Sequence, residues 1–138
     1  MKFWDSSALT PLLVEEADSA LRESQLRDDP VVLVWYGTPV EIESALTRRL
    51  REGSLDRENA VLVRGRLEDL AKAWTEIAPS QTVRERALRL LRVHYLRAAD
   101  AFQLAAALVV CRERTREFGF LTGDRRLRDA AAAEGFRV

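Results

Sequence analysis

The sequence predicts an α/β fold: a three-layer α/β/α sandwich on a mostly parallel sheet of four to five short strands. Three observations carry that expectation. Short strand-like runs at 2–4, 31–35 and 118–121 alternate with segments of helical periodicity. The run VVLVW at 31–35 is apolar throughout, as suits a strand covered on both faces. Strands that alternate with helices in this way form parallel sheets with helices packed on both sides. In such sheets the ligand crevice lies beyond the carboxyl ends of the strands.

The opening KFW, just before Asp5, reads as a strand, and SSALTPLL begins a helix. Ala17, Ala20, Leu21 and Leu26 recur at roughly helical spacing, so a second helix is expected over 15–27. After the strand at 31–35, Thr38 and Pro39 supply a helix N-cap and a proline at the first helical position. That helix is expected to end near Glu52 and stop at Gly53. A further amphipathic helix spans 56–74, a short 76–78 stretch follows, and Pro79 and Ser80 introduce a helix that ends near His94. Residues 98–114 form a very apolar helix. A strand over 118–121, a helix over 125–133 and a last edge strand over 136–138 complete the order. No linker, repeat or low-complexity stretch interrupts the 138 residues, which suits a single domain over 1–138.

Lys+Arg and Asp+Glu number 22 each, so the formal net charge is zero. That balance argues against a generic polycation coating nucleic acid. Apolar residues make up 47% and charged residues 32%, the profile of a soluble globular chain rather than a disordered one. No apolar run approaches the roughly 18–20 residues that a membrane helix needs. The start MKFWDSS lacks the apolar stretch and cleavage site of a secretory signal. The single cysteine, Cys111, cannot close an internal disulfide, so the expected compartment is the reducing cytosol. Arginine far outnumbers lysine, of which there are only Lys2 and Lys72. Arginine suits bidentate phosphate contact, but a GC-rich coding bias, which also favours alanine, is the simpler source of the skew.

Four acids are candidates for a shared site. Asp5 follows the first strand and Asp124 follows FGFLTG, so both belong at the same edge of the sheet. Each has an ordinary reading as the N-cap of the helix after it. A cap and a metal ligand are not exclusive, because oxygens at a strand-to-helix turn also face the crevice. Glu41 and Glu43 lie two residues apart on one helix, so at most one serves a common site. Glu41 shares its face with the small Ala45, whereas Glu43 sits with Thr47 nearer solvent; Glu41 is the choice. Its alternative is a capping box in which it bonds back to the Thr38 amide. Asp100 resists a structural reading most, because AADAFQLAAALVVC holds only two polar residues, Asp100 and Gln103. An ionised carboxylate in so apolar a helix costs several kcal/mol unless it is paired or metal-bound. The alternative is pairing with Arg97 or another arginine.

Four carboxylates around one pocket repel and raise one another's pKa. A divalent cation removes that penalty, and hard oxygen ligands favour Mg²⁺ or Mn²⁺ over zinc. One Cys and one His leave no competing ligand spacing and disfavour a Cys–His or Ser–His nucleophile. A haloacid-dehalogenase-type phosphatase wants a second Asp where Ser7 stands. A receiver domain wants a lysine after a late strand, and neither lysine is so placed.

FWDSSAL at the start, TPVEIESALTRRLREG, LRAADAFQLAAAL and the closing FLTGDRRLRDAAAAEGFRV form a recognisable pattern. In that order the chain resembles the PIN-domain family, and within it the VapC-type toxins of bacterial toxin–antitoxin pairs. The resemblance implies a metal-dependent endoribonuclease that hydrolyses RNA phosphodiester bonds. It places the family's acids on Asp5, Glu41, Asp100 and Asp124, the three aspartates as Mg²⁺ or Mn²⁺ ligands and Glu41 as a ligand or an orienter of water. The hydroxyl beside the site corresponds to Ser6 or Thr122. It also implies a cognate VapB-like antitoxin covering the acidic crevice, and a homodimer, for which the amphipathic helices at 15–27 and 56–74 offer surface. Arg97 and Arg125, adjacent to the acids, are candidates to hold the phosphate backbone, with a surface ion pair as the ordinary reading. The rival function is a non-catalytic PIN-fold module that binds RNA or protein.

His94 is read as a capping or packing residue rather than a general base. Trp4 and Trp35 are read as core or crevice-wall residues, with base stacking by these or by Tyr36 as the alternative. Cys111 is read as a small core residue.

Overall fold

The computed structural model describes residues 1–138. Its sheet has four strands, all parallel: β1 (Lys2–Trp4), β2 (Val32–Trp35), β3 (Thr75–Ile77) and β4 (Gly119–Leu121). Their spatial order is β3-β2-β1-β4. The chain thus steps outward from β1 to β3 and then returns to the far side of β1. That reversal puts the topological switch point between β1 and β4, where an open parallel sheet leaves a crevice beyond its strand ends.

The period of two in a strand separates the core into two halves. Phe3, Leu33, Trp35 and Phe120 face one side, in a cluster with α5 (Gln81–Val93), α6 (Ala98–Val110) and α7 (Arg125–Ala133). Trp4, Val32, Val34 and Leu121 face the other, against α1 (Ser6–Leu13), α3 (Thr38–Glu52) and α4 (Arg57–Ala71). The helix α2 (Ser19–Asp28) packs beside α1, and its Leu26 touches the same cluster. The result is the expected three-layer sandwich. Phe3 and Phe120, neighbours in register, stack with ring centroids 5.4 Å apart.

Several boundaries follow local chemistry that periodicity does not carry. α2 begins at Ser19 rather than residue 15. The Ser19 hydroxyl accepts from the Glu16 amide at 2.8 Å and donates to the Pro11 carbonyl at 2.6 Å, holding Glu16 in a turn. Thr38 is not the cap of α3 but its first residue, fully buried, with its hydroxyl turned across to α6 instead of back onto its own helix. Gly53 does end α3: its φ of 77° is the left-handed conformation that lets its amide reach the Arg49 and Leu50 carbonyls. α6 stops at Val110, short of residue 114, because Arg112 and Glu113 turn left-handed and the Glu113 amide closes back on the Leu108 carbonyl. The edge strand expected at 136–138 reduces to one bridge between Gly119 and Arg137. Phe136 turns inward instead, its ring 5.6 Å from Phe120.

Candidate active site

Parallel register brings the ends of β1 and β4 level, with Trp4 opposite Leu121 and the Asp5 amide donating to the Leu121 carbonyl at 2.9 Å. Asp5 and the Thr122-Gly123-Asp124 turn therefore share one edge of the sheet. Both aspartates are N-caps, as read from sequence. The Ser7 amide donates to Asp5 Oδ2 at 3.1 Å, and the Leu127 amide donates to Asp124 Oδ1 at 2.8 Å. Each cap uses a single oxygen. Asp5 Oδ1 and Asp124 Oδ2 accept no side-chain hydrogen bond, and the Ser6 amide adds a backbone donor near the Asp5 carboxylate.

Asp5, only 3% exposed, is buried beneath Ser6 and Ser7 and does not itself line the cleft that holds the other three acids. Its Oδ2 also accepts from the Ser7 hydroxyl and, at 3.0 Å, from the Thr122 hydroxyl. Thr122 Oγ1 in turn accepts from the Asp124 amide at 3.0 Å, and Ser7 Oγ accepts from the Gly123 amide at 2.8 Å. Buried Arg22 donates to the Thr122 carbonyl at 2.9 Å, fixing the turn from behind. Burial raises the Asp5 pKa above its ordinary value in spite of these donors.

α3 and α6 flank the sheet on opposite faces, and Gln103 joins them. Fully buried, it donates from Nε2 to Glu41 Oε1 at 2.9 Å and to Thr38 Oγ1 at 3.1 Å. The other Glu41 oxygen, Oε2, accepts from the Ser6 hydroxyl at 3.0 Å. The capping box from Glu41 to the Thr38 amide does not form, because both carboxylate oxygens are engaged across the cleft. Burial raises the Glu41 pKa, and the charges of Asp5 and Asp100 push the same way. Glu43 turns to solvent, where Arg64 grips it at 2.6 and 3.1 Å. Gln103→Leu, which keeps the volume but leaves Glu41 and Thr38 without a donor, is expected to destabilise the fold by roughly 1–3 kcal/mol in urea titration. Unchanged stability would mean that the bridge contributes nothing.

Asp100 stands in the first turn of α6, half-buried at the wall of the same cleft. It forms no ion pair with Arg97 or any other arginine. Burial raises its pKa, and the charges of Asp5 and Asp124 raise it further. The acids therefore sense one another; Arg97 offsets part of this at Asp100 through its amide and its charge, but none of the four forms an ion pair. They do not make a ready-made cage, since no three His, Cys, Asp or Glu side chains are grouped as metal ligands. An Mg²⁺-type ion needs no such cage, because it keeps several of its waters and does not require every acid in direct contact. The donor set fits such an ion: hard oxygens throughout, one oxygen on Asp5 and one on Asp124 without a side-chain donor, and no competing ion pair.

The cleft above these acids has a volume of ≈ 1020 Å³. Its lining carries both signs of charge: Glu41, Asp100 and Asp124 together with Arg48, Arg97, Arg125 and Arg126. Arg97 and Arg125 make no ion pair, although the Arg97 charge lowers the Asp100 pKa. Arg49 also lines the cleft but is held by Glu16. His94 lies elsewhere, 2.7 Å from Glu134, in the packing role expected of it. Trp4 and Trp35 are buried, and Cys111 is in the core. Tyr36 is exposed but leans edge-on against Trp35, away from the cleft lining.

Ser7, Gln103 and Arg22 escape the sequence reading. Ser7 carries a local signal, since a hydroxyl two residues after a capping aspartate can reach it. Gln103 carries another as the second polar residue in an otherwise apolar helix. Arg22 carries none.

No family model matches the chain. Over 138 residues, 99% of this chain and 92% of the relative, the sequence is 31% identical to Ribonuclease VapC45 of Mycobacterium tuberculosis (strain CDC 1551 / Oshkosh). The same identity and coverage hold for Ribonuclease VapC49 of Mycobacterium tuberculosis (strain ATCC 25618 / H37Rv). Similarity at that level from one end to the other is not confined to a local motif, and the chain belongs to the VapC ribonuclease family.

Proposed function

We propose that this protein is a Mg²⁺- or Mn²⁺-dependent endoribonuclease that hydrolyses RNA phosphodiester bonds at the Asp5–Glu41–Asp100–Asp124 cleft. The observation that carries the reading is Glu41, Asp100 and Asp124 lining one cleft with Asp5 buried beside them, none ion-paired, next to arginines that form no ion pair. A structural cluster of acids would be neutralised from within the chain. This one is left for an external cation.

Asp5, Asp100 and Asp124 would hold the ion, Asp5 and Asp124 through the oxygens that the caps leave free. When bound, the ion supplies Lewis acidity that activates water and offsets charge on the leaving oxygen. Glu41 is fixed by Ser6 and Gln103, one donor to each oxygen, and orients the attacking water. Thr122 and Ser7 keep the Asp5 carboxylate from rotating. Arg97 and Arg125 hold the phosphate backbone through charge-assisted hydrogen bonds. A VapB-like antitoxin that covers the cleft and a second copy of the chain complete the reading, supported by the family and by exposed Val61 and Leu62 on α4 and Leu88 and Val93 on α5.

The test is cleavage of a single-stranded RNA with and without EDTA, alongside thermal melts. Cleavage is expected only with the ion. Mn²⁺ is expected to raise the melting temperature, since a ligand at 100-fold its Kd stabilises by about 2.7 kcal/mol. Equal cleavage in EDTA overturns the metal mechanism. RNA that is bound but never cut favours the rival binding module.

A further inference from the structure

Trp4 and Trp35 are buried and Tyr36 lies outside the cleft lining, so none of the three offers its ring to a base there. One aromatic does stand at its rim. Tyr95 is 79% exposed, five residues before Asp100, and it lines the same cleft. Leaving a ring so open on a folded surface sacrifices the burial that aromatic side chains ordinarily gain. The ring is nonetheless not loose. The Arg126 guanidinium lies over it, 4.5 Å from the centroid, a cation–π contact that spans from the loop before α6 to the first turn of α7. Tyr95 is thereby tied to the two segments that carry Asp100 and Asp124. Arg126 covers one face, and the high exposure leaves the other free.

We infer that Tyr95, braced by Arg126, is a stacking subsite for one unpaired base of the RNA strand next to the bond that is cut. The inference rests on the ribonuclease reading above and adds to it the form of the substrate. A base within a duplex is stacked on its neighbours and cannot present its face to a side chain, whereas an unpaired base can. The cleft arginines hold the backbone of either form, but only a single strand gains from the ring. Arg126, lying on the ring, also sets a positive charge beside the stacked base, where the strand's backbone is close.

The test measures binding of a fluorescent single-stranded oligoribonucleotide and of the same sequence as a duplex, with EDTA present so that the strands stay whole. Tyr95→Ala is expected to weaken single-strand binding about tenfold, in the range found for one base–aromatic contact, and to leave duplex binding unchanged. Tyr95→Phe and Tyr95→Trp are expected to keep wild-type affinity, because stacking needs the ring and not the hydroxyl. The melting temperature of Tyr95→Ala should match the wild type, so that a loss is not unfolding. If Tyr95→Ala binds the single strand as the wild type does, as it would were Tyr95 a protein contact, the subsite is overturned. Equal loss on both oligonucleotides, or loss in Tyr95→Phe as well, also overturns it. Each of those results leaves the ribonuclease reading standing. A wild-type protein that neither binds nor cuts RNA overturns both.

Discussion

Asp100→Asn is expected to abolish cleavage and, at neutral pH without metal, to make the protein more stable. Loss of activity follows from the place of Asp100 in the cleft. Changing even the partners behind a metal ligand costs about 10–100-fold, so replacing a ligand should cost at least about 100-fold. The gain in stability follows from electrostatics. Burial, then the charges of Asp5 and Asp124, hold the Asp100 pKa above its ordinary value of 3.8. A carboxyl raised in this way supports the fold fully below the unfolded value, where it is protonated, and loses that support as pH rises through the folded value. Asparagine keeps the protonated shape at every pH. The variant should therefore match the wild type below pH 3.8 and exceed it at pH 7. For a chain of this size, relief of about 1 kcal/mol raises Tm by roughly 3–5 °C. Mn²⁺ should erase the difference by stabilising the wild type more than the variant. A variant that melts below the wild type at pH 7, yet equals it at low pH, would show that the Asp100 charge is compensated and contradict the open acidic site.

The sequence carries the fold further than it carries the site, for a physical reason. Phe3 and Trp4 fall on opposite faces of β1 because a strand alternates, and the unbroken apolar run at Val32–Trp35 marks a strand with cover on both sides. Asp5 and Asp124 are legible for the same reason: each stands where a strand becomes a helix. Asp100 is legible because its charge sits in a helix with almost nothing else polar. What fixes their orientation is not local. Thr122 reaches Asp5 across 117 positions, Arg22 reaches the Thr122 carbonyl across 100, and Gln103 reaches Glu41 across 62. Such contacts exist only once β4 lies beside β1 and α6 faces α3. The misplaced boundaries differ in kind. Ser19 and the Arg112–Glu113 turn act within a few residues, through hydrogen bonds and left-handed backbone that hydrophobic spacing does not record.

Trp4→Ala is expected to be the most destabilising single change in this edge of the molecule, at about 3–5 kcal/mol by urea denaturation. Trp4 is completely buried and lies among Leu9, Ile42 and Leu121, so its removal opens a cavity between the sheet and the layer of α1 and α3. Against a total stability of roughly 5–15 kcal/mol for a domain, that is a large fraction. The indole nitrogen has no hydrogen-bond partner. Trp4→Phe therefore gives up volume but no hydrogen bond and should cost less than half as much as alanine. The cavity also lies one residue before Asp5 and directly beside Leu121, whose carbonyl receives the Asp5 amide. Any collapse into it shifts Asp5 relative to Glu41 and Asp100. Trp4→Ala should consequently cut RNA more slowly per folded molecule, whereas Leu90→Ala, an equally buried change in the opposite layer, should lower stability with little effect on the rate. Equal rates for the two variants, normalised to the folded fraction, would show that the acidic edge does not depend on the packing beneath it.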